Sequence, residues 1–105
     1  MSDINVLTKD NFKSETENGS YAIDFFADWC GPCKMMGPVF EEAASSYDGK
    51  IKFGKINIDE QRDLAMEFKV MSIPTLLFFK DGEVKDRVTG VIDATTLKGK
   101  LDDLL

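Results

Sequence analysis

Asp24-Phe25-Phe26-Ala27-Asp28-Trp29-Cys30-Gly31-Pro32-Cys33-Lys34 holds both cysteines of the chain. It begins inside an apolar and aromatic run, Tyr21 to Ala27, that reads as a strand buried on both faces. It ends in a segment, Cys33 to Tyr47, whose Met36, Val39, Phe40, Ala43 and Ala44 recur at helical spacing. The two cysteines therefore fall where a buried strand gives way to a helix. A helix N-terminus offers unpaired N–H groups and a partial positive charge, and both favour a thiolate at Cys30. Pro32 suits a first helical turn. Gly31 leaves the approach to the sulfur open, and Lys34 either adds a nearby positive charge or is simply solvated. The three-residue offset places Cys33 about one turn further on, facing the same way and within reach of Cys30. This predicts a two-step exchange. The Cys30 thiolate attacks a substrate disulfide, and Cys33 then displaces the reduced substrate and closes a Cys30–Cys33 bond.

Outside this stretch the composition sets bounds. The chain has 105 residues, 43% hydrophobic and 30% charged, which suits one compact domain spanning 1–105. The formal net charge of −6 disfavours nucleic acid or an anionic membrane as partner. Met1-Ser2-Asp3-Ile4-Asn5 lacks a basic region leading into an apolar one, so no signal peptide is expected and the cytoplasm is the default compartment. The longest apolar run, around Ile73 to Phe79, is far too short to cross a bilayer. Only two cysteines occur, too close together to staple distant parts of the chain. A Cys-X-X-Cys pair is also half a structural zinc site, but there is no His and no third Cys to complete four ligands. No metal and no cofactor are expected. An inert thiol pair is the remaining alternative.

Further along, Thr8 is expected to cap a short first helix that Asn18-Gly19 breaks. Pro38 lies inside the second helical pattern and should kink it, and Asp48-Gly49 ends it. Ile51 to Ile58 reads as a second central strand, and Glu60 to Lys69 as a helix with Leu64, Ala65 and Phe68 inward. Thr75 to Phe79 and Val84 to Thr89 flank Asp81-Gly82, a hairpin signal. Asp93 opens a final helix in which Leu97, Leu101, Leu104 and Leu105 recur, weakened by Gly99. The order is β-α-β-α-β-α-β-β-α. That implies an α/β fold with a central mixed sheet of about five strands, four helices on its two faces and an antiparallel edge.

These landmarks resemble the thioredoxin family over essentially the whole chain. The stretch from Asp24 to Lys34 resembles its active-site signature, and Lys55-Ile56-Asn57-Ile58-Asp59 its third-strand motif. Ile73-Pro74-Thr75, Phe79-Lys80-Asp81-Gly82-Glu83 and Gly90 match its later landmarks. The resemblance implies the thioredoxin fold and a general disulfide reductase recharged by a thioredoxin reductase. It also implies acceptors such as ribonucleotide reductase, peroxiredoxins and methionine sulfoxide reductases, with a monomer as the default state. Gly31-Pro32 resembles the reductase form of the motif and is expected to tune the redox potential of the pair.

Asp24 has three apolar neighbours on each side, so burial is expected, which would raise its pKa and make it a proton acceptor. The resemblance assigns it the proton of Cys33. Lys55 interrupts another apolar strand. It either snorkels to solvent or, as the resemblance implies, pairs with Asp24. The resemblance also makes the Ile73–Pro74 bond cis, shaping a groove where the Ile73 backbone pairs with an extended peptide. Trp29, Gly31, Pro32, Ile73, Pro74, Gly90 and Val91 are expected to form a flat apolar contact patch around Cys30.

Phe26, Met71-Ser72, Gly37 and Val91 depart from the commonest family pattern; Gly37 would loosen the active-site helix and Val91 alter partner preference. The five methionines read as gap fillers. A second reading, a binding subunit that uses the patch without redox turnover, would survive replacement of both cysteines by serine. An oxidase or isomerase is disfavoured because no signal peptide is expected and Gly31-Pro32 resembles the reductase form.

Overall fold

In the computed structural model, which describes residues 4–105, the central strand organises everything else. β2 (Ser20–Phe26) is buried along nearly its whole length because it is paired on both edges and a packed core covers each of its faces. It runs parallel to β3 (Lys52–Asn57) on one side and antiparallel to β4 (Thr75–Lys80) on the other. Alternate residues enter opposite faces. Ala22 joins a core with Leu76, Phe78 and the inward residues of α2 (Gly31–Ser46) and α4 (Ala94–Asp102). Tyr21, Ile23 and Phe25 join a second core, with Leu77, Phe79, Phe12 of α1 (Phe12–Thr16) and Leu64 of α3 (Arg62–Glu67).

The short β1 (Ile4–Val6) adds in parallel to β3, and β5 (Glu83–Thr89) pairs antiparallel with β4, giving the order β1-β3-β2-β4-β5. The hairpin forms at Asp81-Gly82, whose φ values of 50° and 84° suit a tight two-residue turn matching the twist of the strands.

Three details differ from expectation for local reasons. Thr8 does not cap α1. Its N–H donates to Asn11 Oδ1 at 2.7 Å and its hydroxyl accepts from Asp10 N, so Thr8 closes a turn ahead of a helix that starts at Phe12. α3 is shorter than Glu60 to Lys69. The Asn57 carbonyl and side chain take the N–H groups of Asp59, Glu60 and Gln61 in a turn, and Lys69 closes the C-terminus with φ 54°. After α4 the chain tightens to i→i−3 bonds, Leu104 N to Leu101 O and Leu105 N to Asp102 O. Residues three apart then eclipse, so Leu104 stacks on the core while Leu105 is exposed. Pro38 lies on the exposed side of α2, which continues through it.

Candidate active site

The site forms where β2 ends and α2 begins. Cys30 is extended at the N-cap of α2, and its Sγ accepts the N–H of Cys33 at 3.2 Å. That is the position where an orphan helix donor and the helix dipole both favour negative charge on sulfur. Cys30 and Cys33 are joined as a disulfide, with Cα atoms 5.3 Å apart. Both are buried among Ala27, Phe26, Ile58 and Ile73. Cys30 Sγ lies 3.9 Å from the Ile73 carbonyl oxygen, and the Ile73–Pro74 bond is cis. The Pro74 carbonyl accepts Gly90 N–H at 2.8 Å, tying the entry of β4 to the exit of β5 beside the sulfurs.

Trp29, Gly31, Pro32 and Val91 are exposed around this pair, while Ile73 and Gly90 are half-buried. Pro74 does not lie in an exposed patch. It is buried, because it leads directly into β4, whose first five residues are interior. The methionines are also not gap fillers as a group. Met36 fills the core under α2, but Met35, Met66 and Met71 are exposed, Met71 almost completely; Met1 lies outside the described residues. Asp59 was not singled out from the sequence. It receives the Trp29 indole N–H at 2.8 Å, and its own N–H is held by Asn57 Oδ1 at 2.9 Å. The available signal was topological: Phe26 and Asn57 are paired at the ends of parallel neighbours, so the segments leaving the two strands lie side by side.

Asp24 projects from β2 toward the α2 face and is 5% exposed. Burial pushes its carboxyl from 3.8 up to about 7, and the charge of Lys55 pulls the other way. Lys55 is its direct neighbour in the β2–β3 register. The two form no ion pair within 4.0 Å among the described residues; the Lys55 ammonium lies 5.8 Å from the centroid of the Phe26 ring. Asp24 Oδ1 accepts no hydrogen bond from any described residue. A cleft of ≈ 220 Å³ adjoins it, lined by Cys33, Gly37 and Lys55 among others. Among the described residues no group of three or more His, Cys, Asp or Glu side chains is placed to hold a metal ion. No helix among them is long and apolar enough to cross a membrane.

The family model for thioredoxin matches residues 3–103. The chain belongs to the thioredoxin family. A thioredoxin of Staphylococcus haemolyticus is 48% identical over 96 residues, 91% of this chain and 92% of that protein. One of Staphylococcus aureus is 46% identical over the same shares. The solved structure of the Malassezia sympodialis thioredoxin superposes with a TM-score of 0.88 at 37% identity, covering 99% of this chain and 92% of that one. The five-stranded mixed sheet and four helices of the described residues make the thioredoxin fold. The protein is a thiol–disulfide oxidoreductase, and its Cys-X-X-Cys pair supports disulfide reduction.

Proposed function

We propose that Cys30 is the attacking thiolate of a general protein disulfide reductase, that Cys33 resolves the mixed disulfide, and that Asp24 accepts the Cys33 proton. The observation that carries this is the Cys33 N–H donated to Cys30 Sγ at the head of α2. It distinguishes the two sulfurs: Cys30 takes the helix-end stabilisation, and Cys33 lies behind it, on the side of the buried acid. Lys55 modulates Asp24 through space rather than by contact. Gly31 and Pro32 tune the potential of the pair. Trp29, Ile73, Gly90 and Val91 receive the substrate segment, with Pro74 setting the groove from beneath. The electron donor is a thioredoxin reductase, and acceptors are cytoplasmic disulfide proteins of the ribonucleotide reductase, peroxiredoxin and methionine sulfoxide reductase kinds.

The test is Cys33→Ser. With the resolving sulfur gone, a disulfide-bearing substrate protein should stay attached through Cys30, seen by mass spectrometry as an adduct that dithiothreitol releases. Cys30→Ser should give none. Absence of an adduct with Cys33→Ser, or equal adducts with both variants, would overturn the assignment.

A further inference from the structure

Cys33, Gly37, Phe40 and Glu41 stand at i, i+4, i+7 and i+8 on α2 and all line the cleft beside Asp24. The opposite wall is made by Asp24 and Phe26 of β2 and Lys55 of β3. Asp28, Lys34 and Glu41, all exposed, also border it, so it leads from solvent to the buried carboxyl. Its ≈ 220 Å³ far exceeds the roughly 15 Å³ that one water requires. The charged and polar groups facing it give water the partners it needs, beginning with the unpartnered Asp24 Oδ1. Gly37 sits mid-stripe, and a Cβ placed there would meet nothing within 4 Å. A helix interior gains nothing from glycine, so the residue's visible consequence is the space it leaves.

We propose that this cleft is the proton port of the exchange reaction, carrying water between solvent and Asp24, and that Gly37 holds it open. The proposal rests on Asp24 being the proton acceptor for Cys33. In resolution the Cys33 thiol gives its proton to the Asp24 carboxylate while Cys33 Sγ bonds to Cys30 Sγ. The Cys30–substrate bond breaks, and the substrate thiolate takes a proton from solvent. Asp24 then returns its proton to solvent through the cleft, which balances the cycle. Gly37 is a positioning residue for that water and touches no reacting atom.

Gly37→Leu, which fills the gap, and Gly37→Ala, which only narrows it, test this together. The Asp24 carboxyl is titrated by carbon NMR in each. Resolution is followed in acid-quenched single turnovers, where the mixed disulfide accumulates if resolution slows. Drying the cleft should raise the Asp24 midpoint by about half a unit or more in Gly37→Leu and by less in Gly37→Ala. At neutral pH the mixed disulfide should persist longer in the same order, while thermal stability in Gly37→Ala rises or holds. An Asp24 midpoint and resolution rate that stay wild-type in folded Gly37→Leu overturn the port; if that variant fails to fold, a wild-type midpoint in Gly37→Ala does so. Asp24→Asn, measured alongside, separates the two ideas. Unchanged resolution in Asp24→Asn overturns the acceptor role. Slowed resolution there, with wild-type behaviour in Gly37→Leu, overturns the port alone.

Discussion

Asp24 is the residue where the proposed chemistry of the site and the stability of the fold pull in opposite directions. Folded, it keeps its proton to about pH 7; unfolded, it releases the proton near 3.8. Between those values the folded state binds more protons than the unfolded one, so stability falls as pH rises and the full loss is present above neutrality. The gap corresponds to about 4 kcal/mol as an upper bound. Asp24→Asn should therefore be more stable than the parent at alkaline pH by up to that amount. The difference should shrink toward pH 4, as measured by urea denaturation of the disulfide form. Parallel stability profiles for the two proteins would contradict the burial account. The burial of Asp24 was legible because six apolar neighbours leave a strand no wet face. The position of the Lys55 ammonium over Phe26 was not, because strand register fixes a backbone and not the end of a four-carbon side chain. Asp59 was missed for a related reason: its contact with Trp29 joins two loops thirty residues apart.

At the scale of elements, the strands and longer helices were legible from periodicity, and the errors gathered at ends built by side chains. Asn11 and Asn57 both use an amide oxygen to bind backbone N–H groups, making turns that look in sequence like first helical turns. Leu105 was misplaced because a tightened last turn changes the spacing from four to three. β3 was read as a central strand, and the structure adds why Gly54 stands within it. A Cβ there would come within 2.8 Å of Leu7 Cδ1 and 2.9 Å of Tyr21 Cε1. Both neighbours are fully buried, so they have little room to give way. Gly54→Ala should cost about 1–3 kcal/mol by overpacking, read as a lower urea midpoint with an unchanged slope. Parental stability would show that the second core is looser than its packing indicates.

Over the whole molecule, the site lies at the carboxyl ends of the parallel strands β2 and β3, where α2 leaves the sheet. That is where open α/β sheets place their ligands. The strand β4, paired antiparallel to β2, delivers Ile73 and Pro74 to the same edge. A mixed sheet with an edge hairpin was legible from the order of elements. The pairing of β2 with β4 was not, since nothing in local periodicity joins Ile23 to Leu77. The fold thus brings a strand end, a helix start and a cis-proline loop around one sulfur, that of Cys30, which we propose turns over in disulfide exchange. The most direct measurement is insulin disulfide reduction with dithiothreitol as electron donor, comparing the parent with Cys30→Ser and Cys33→Ser. The parent should cleave insulin disulfides well above the rate of dithiothreitol alone, and both variants should fall back to that background. A parent no faster than dithiothreitol, or a Cys30→Ser variant as active as the parent, would contradict the account.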